Sequence, residues 1–288
     1  NRKIGLGVMG WADMLMHLGL SYNSKEGTDL AYEIMEFIDY HSKIESIELA
    51  KSRGAFNNFQ GSVYDKGDFL TNKYTGKSAG MISDEDWKNL DAQIKEFGIR
   101  NSTTTCIAPT GTISMTASAS GGVEPLFGLV FSRNVMDGTE MLEINPAFEK
   151  YAKENGFYSE NLMKEIAKDG SVAHVEGVSD VAKHIFATAH DVTPEWHVKM
   201  QAAFQLHTDN AVSKTINFEE TATREDIEKA YILAFENNLK GITVYRNNSR
   251  TFQPMNLDAK KVPELEIKPI ENESEPTGEI KNIVCPEC

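Results

Sequence analysis

The stretch Asn101–Phe127, NSTTTCIAPTGTISMTASASGGVEPLF, limits the folds open to this chain more than any other. It begins with a β-branched run through Thr103, Thr104, Thr105 and Ile107, turns at Pro109 and Gly111, and continues through small hydroxylated residues. That order predicts a buried strand passing through a tight turn into a helix N-terminus. Amides at such a turn lack intrahelical acceptors, so they favour an anion, helped by the hydroxyls of Thr110, Thr112 and Ser114 and by the helix dipole. Taken alone, Pro-Thr-Gly-Thr is also an ordinary turn. No Gly-Lys-Ser/Thr follows it and the glycines are not spaced as GxGxxG, which argues against a Walker loop and a dinucleotide fingerprint.

RNSTTT, IAPTGTIS and GGVEPLF resemble, in the same order, segments of the ribonucleotide reductase catalytic chain. RKIGLGVMGWADML and DNAVSKTINF resemble two further segments of that family, the first opening the second half of its barrel. The resemblance implies an α/β fold, the second half of the ten-stranded α/β barrel of ribonucleotide reductases, over residues 1–252. A flexible C-terminal tail over 253–288 follows. In the family the Pro-Thr-Gly-Thr-Ile-Ser turn seats the substrate's phosphates. By resemblance, then, Pro109, Thr110, Gly111, Thr112 and Ile113 bind phosphate, with Ser114 as an outlying donor.

The rest of the chain reads as alternating strands and helices. Ile4–Val8 is expected to be a strand packed closely on a helix over Trp11–Leu20, and Thr28–Arg53 a long amphipathic helix ended by Gly54. Ala55–Gly80, rich in Gly, Asn, Lys and aromatics without a period, reads as a surface excursion. Ser83 caps a helix through Lys95, closed by Gly98. Leu129–Val135 is a strand with Arg133 as a candidate anion partner or a plain surface arginine, and Asn145-Pro146 starts a helix through Glu154. Helical patterns follow over Glu160–Lys168, Val181–Ala189 and from Thr193-Pro194 through His207. A capped helix runs from Thr223 through Leu239, and Ile242–Arg246 is a last strand. Lys214 and Thr215 are read as anion contacts, or Lys214 as a loop cap. His184, His190, His197 and His207 match no familiar ligand spacing and are read as packing and surface histidines rather than a metal site.

Two features bear on chemistry. Tyr245 in GITVYR follows Val244, so the adjacent tyrosine pair that relays a radical from a diiron subunit is missing. The resemblance is therefore to the class that uses adenosylcobalamin as its cofactor. Of the three cysteines, Cys285 and Cys288 form a CxxC at the end of the acidic, proline-containing tail, which is read as a redox dithiol or as half of a zinc ribbon. Cys106, inside the strand before the turn, is read as a small buried hydrophobe. No Asn-x-Cys-x-Glu occurs, so no catalytic residue is assigned in this chain, and the radical cysteine is expected in a missing N-terminal half upstream of Asn1.

The formal net charge of −14 argues against broad contact with nucleic acid or an anionic membrane. The expected partners are a ribonucleotide substrate, a thioredoxin-like or glutaredoxin-like reductant, the N-terminal half and, for the complete enzyme, a second copy in a homodimer. The expected location is cytoplasmic. Other readings are a non-catalytic nucleotide-phosphate-binding half and the large subunit of a diiron-dependent reductase.

Overall fold

The computed structural model describes residues 1–78, 80–135, 139–247 and 249, with backbone alone at 132–135 and 139–141. The tail with Cys285 and Cys288, and with it the expected boundary near 252, lies outside the described residues.

The first strand segment, around Leu6, lies parallel to the segment around Thr105, and the Ile107 end of the latter lies parallel to Val212. The Ile4 and Leu6 amides donate to the carbonyls of Thr103 and Thr104, and the Cys106 amide donates back to Leu6. Gly7 is required there: a Cβ on it would stand 2.1 Å from the Cys106 carbonyl oxygen. After Val212 the chain continues into β3 (Thr215–Phe218), which pairs in parallel with β4 (Thr243–Arg246). The segments thus stand side by side in chain order, and helical crossovers join them as parallel pairing demands.

Helix α1 (Trp11–Leu18) follows the first segment, and α2 (Lys25–Arg53) begins at Ser24, whose side chain accepts from the Gly27 amide. Trp11, Leu15, Met35, Met200, Phe204, Ile107 and Val212 form the core between these helices and the sheet. The residues of α2 that face inward recur about every fourth position: Ala31, Met35, Asp39, Lys43, Ile47 and Ala50. A helix expected to carry its charges outward therefore buries Asp39 and Lys43, and Glu36 beside them.

The expectation of a surface excursion over Ala55–Gly80 is corrected. Within it lie a short 3-10 turn at Tyr64–Lys66 and helix α3 (Phe69–Tyr74), and Tyr64, Leu70 and Tyr74 are buried with Trp87 and Leu90 of α4 (Asp84–Phe97). The Asp91 carboxylate accepts from the amides of Leu70 and Thr71 at 3.1 and 2.7 Å, which fastens the start of α3 to α4.

After the second segment come α5 (Gly111–Thr116) and an antiparallel hairpin, β1 (Val130–Val135) with β2 (Thr139–Ile144), of which only the first strand was expected. Helices α6 (Pro146–Glu154), α7 (Glu160–Ile166) and α8 (Asp180–Ile185) close over the hairpin in a separate apolar cluster around Val130, Phe148, Met163 and Phe186. Helix α9 (Pro194–Leu206) leads back to the sheet, and α10 (Arg224–Glu236) bridges β3 and β4 from a capping box at Thr223 and Asp226. No helix among the described residues is long and apolar enough to cross a membrane.

Candidate functional site

The Thr105 segment is fixed before it reaches the turn. Lys43 of α2 donates to Asp39 at 2.5 Å and to both oxygens of Asp209 at 3.2 and 3.1 Å, while Asp209 also accepts the Thr104 amide at 2.7 Å. Tyr74 donates to the other oxygen of Asp39 at 2.7 Å. Burial works against the Lys43 ammonium, but Asp39 and Asp209 outweigh it and hold its pKa above the usual lysine value. Burial likewise opposes the Asp209 carboxylate, and Lys43 with the Thr104 amide still keeps its pKa below the usual range. The cluster is a charged anchor joining α2, the Thr105 segment and the chain entering β3.

Beyond Ile107 the chain surfaces: Ala108, Pro109, Gly111, Thr112 and Ile113 are exposed and Thr110 is half-buried. Thr110 precedes α5 in the left-handed region, φ 53 and ψ 21. Such a conformation is uncommon for a β-branched residue and marks a turn held by its surroundings. What holds it is the following loop, since the Gly122 amide donates to Thr110 Oγ1 at 2.7 Å. Gly122 has φ +45, and a Cβ there would lie 3.0 Å from the Ala108 carbonyl oxygen, so glycine lets the two strands of the loop touch. The amides of Gly111, Thr112 and Ile113 belong to the first turn of α5, which offers them no carbonyl. Ser114 faces inward and donates to the Gly111 carbonyl at 3.2 Å. The predicted residues Pro109, Thr110, Gly111, Thr112 and Ile113 therefore share one open surface, and Ser114 sits behind it.

The far end of α5 is tied to α1. The Ser120 carbonyl accepts the Gly10 amide at 2.8 Å, and the Ser120 amide donates to Asp13 at 2.6 Å. Behind the Gly121-Gly122 pair, Glu124 accepts from the Thr215 amide at 2.6 Å and from Lys214 Nζ at 2.5 Å. Lys214 neither faces an open anion site nor caps a loop. Its side chain is wholly buried, and it donates also to His197 Nδ1 at 2.7 Å and to the Thr215 carbonyl at 2.7 Å. Burial lowers the Lys214 pKa, against the pull of Glu124, and burial with Lys214 drives that of His197 well down. Sequence reasoning missed Asp13 and Glu124, and it read His197 as a packing or surface histidine without its contact to Lys214. The available signal was an acidic residue between Val123 and Pro125 in an otherwise apolar stretch.

The remaining candidates stand apart from the turn. Cys106 is half-buried rather than buried, with Sγ 3.5 Å from the Ala211 carbonyl oxygen. The Arg133 side chain lies outside the described residues. Tyr245 sits on β4 with its hydroxyl buried. His207 and His197 are buried and His190 meets Glu219 at 3.6 Å. Among the described residues no three His, Cys, Asp or Glu side chains gather as a metal site would require.

Comparison with known proteins gives this geometry its family. The family model described as ribonucleotide reductase, barrel domain, matches residues 1–245. A vitamin B12-dependent ribonucleoside-diphosphate reductase of Thermoplasma acidophilum is 44% identical over 269 residues, covering 92% of this chain and 31% of its own length. A protein of the same name from Mycobacterium tuberculosis is 38% identical, over 90% of this chain and 33% of its own length. The chain thus spans about a third of the length of these relatives. Among solved structures, the Actinobacillus ureae class Id ribonucleotide reductase alpha subunit superposes with a TM-score of 0.64 at 25% identity, covering 85% of this chain and 39% of that one. The match takes in the whole run of parallel segments from Leu6 into β4, and the chain belongs to the ribonucleotide reductase barrel-domain family.

Proposed function

We propose that this chain supplies the substrate-phosphate seat of a ribonucleotide reductase, which replaces the 2′-hydroxyl of a ribonucleotide by hydrogen through a thiyl radical. The hydroxyl leaves as water and a dithiol pair is oxidised to a disulfide. A thioredoxin-like or glutaredoxin-like protein then restores the dithiol, with the Cys285/Cys288 pair as the relay or as a zinc half-site. The observation that carries the reading is the left-handed Thr110, which turns the first-turn amides of Gly111, Thr112 and Ile113 to an open surface at the end of a rigidly anchored strand. An anion there meets oriented dipoles whose ordering cost was met on folding.

Adenosylcobalamin as the radical source rests on the names of the relatives and on the lone Tyr245. Neither of two cavities, of about 680 and 690 Å³, adjoins the turn: one lies under α10 beside His190 and Phe218, the other beside Tyr32 and Lys199. The turn itself is exposed. This chain's own residues therefore act on the phosphate end of the substrate. The cytoplasm, where reductant and nucleotides are found, and a homodimer of the complete enzyme belong to the same proposal.

Thr110→Pro tests the seat, because proline fixes φ near −65° and cannot adopt the observed turn. Titration with a ribonucleoside diphosphate, followed by phosphorus NMR, is expected to lose its saturable shift in that variant. Unchanged affinity would remove the seat from the turn. Deoxynucleotide formation by this chain, mixed with the segment corresponding to the rest of the Thermoplasma relative, tests the reaction. Activity that needs adenosylcobalamin supports it, whereas activity that ignores the cofactor and needs a radical subunit favours the diiron class, and none at all a binding role.

A further inference from the structure

Glu124 and Lys214 lie outside the exposed turn, yet the polar atoms of both side chains are all committed, and Glu124 links them to the loop beside it. The Glu124 amide donates to Gly121 at 2.9 Å, so its backbone belongs to the strap that lies against Thr110. Its two carboxylate oxygens have separate partners in and next to β3, the Thr215 amide and Lys214 Nζ. Lys214 has three N–H donors, and all three are used, on Glu124, His197 Nδ1 and the Thr215 carbonyl. His197 Nε2 lies 3.3 Å from the Ala189 carbonyl oxygen, which requires the proton on Nε2 and leaves Nδ1 free to accept. An ammonium buried this completely is tolerated only where its partners are fixed, and the partners here come from α9, β3 and the strap.

We propose that Glu124 and Lys214 are positioning residues for the phosphate turn, a brace that presses the Gly121-Gly122 strap onto Thr110 and so holds the turn in its left-handed form. The inference rests on the reading of the turn as a phosphate seat. The line of force runs from His197 through Lys214 and Glu124 to the strap, and ends in the hydrogen bond from the Gly122 amide to Thr110 Oγ1. Releasing Glu124 frees the strap to move off Thr110, and the first-turn amides then lose their common direction without any of them being altered.

The experiment uses the full chain and two readouts, hydrogen exchange of the Gly122 amide and the affinity for inorganic pyrophosphate. Glu124→Gln keeps the shape of the side chain and removes its charge, and Thr110→Val removes the hydroxyl acceptor from the other end. Each is expected to quicken Gly122 exchange and to weaken pyrophosphate about tenfold, and the double variant to be no weaker than either single, because both break one linkage. A general loss of stability would instead lower protection across the sheet and give effects that multiply in the double variant. Unchanged Gly122 exchange in Glu124→Gln, or multiplying effects, overturns the brace. Should the unaltered chain fail to bind pyrophosphate, the phosphate reading falls, and Gly122 exchange still decides whether the brace exists. Lys214→Met should act as Glu124→Gln does; if it does not fold, Glu124→Gln carries the test alone.

Discussion

His207 is fully buried, with its ring stacked 4.5 Å from that of Tyr74 and edge-on to Tyr32 at 4.9 Å, and neither ring nitrogen has a hydrogen-bond partner. Burial, and after it Lys73, Lys43 and Lys77, pushes its pKa down to about 3. Neutral well above that pH, it meets Glu36 at 4.0 Å as a polar contact and not as an ion pair. Above pH 6.5 both folded and unfolded chains hold this histidine neutral and its contribution to stability is complete. Between 6.5 and about 3 the unfolded chain takes up a proton that the folded chain refuses, so stability falls with pH by about 1.4 kcal/mol per unit. His197, also well below its ordinary value, adds a slope of the same sign. His207→Phe, which keeps an aromatic ring in the stack, should remove about one proton's worth of slope from the unfolding free energy between pH 6.5 and 4. An unchanged slope would assign the proton uptake to other groups.

At the scale of elements, the anchor on α2 is where burial and charge conflict most. Lys43→Met would leave the buried carboxylates of Asp39 and Asp209 without their cation, and a loss of about 3–5 kcal/mol in urea unfolding is expected. Adding Asp39→Asn and Asp209→Asn should recover part of that loss, and a loss below about 1 kcal/mol for Lys43→Met alone would count against the anchor. The same helix shows how far sequence carries. Its existence was legible because the apolar spacing is regular, but Asp39 and Lys43 sit in the inward stripe itself, where composition reads them as surface charges. Only their separation of one helical turn, on a line with Met35 and Ile47, hinted at a pair. Tyr64, Leu70 and Tyr74 were unreadable for another reason: their elements are too short to show a period, and they are buried by α4, which comes later in the chain. The turn at Pro109 was legible in position, since proline, glycine and a β-branched run each restrict the backbone locally, but the left-handed form of Thr110 was not, because a β-branched residue rarely adopts it. Lys214 was not, because its partners Glu124 and His197 are brought to it by the fold alone.

Over the whole molecule, the parallel segments form an open sheet in chain order, with the Leu6 segment paired to the Thr105 segment on one side. Ile4 and Leu6 are 51% and 53% exposed, large aliphatic side chains on the segment that stands outermost among the described residues. Such an edge invites a further strand. Ile4→Lys with Leu6→Lys should shift the unfolding midpoint of the chain little, because about half of each side chain is already in water, and, if the proposed assembly with the rest of a reductase uses this edge, should abolish co-elution with a segment corresponding to the rest of the Thermoplasma relative. Co-elution that survives the charges would place the contact elsewhere.

The Gly7 contact gives that edge a further property. Because the first strand can approach its neighbour only through a bare backbone, its direction and register are set before anything joins it from outside. A newcomer laid alongside would meet a finished template, so whatever ordering the pairing requires would fall on the newcomer and not on this side.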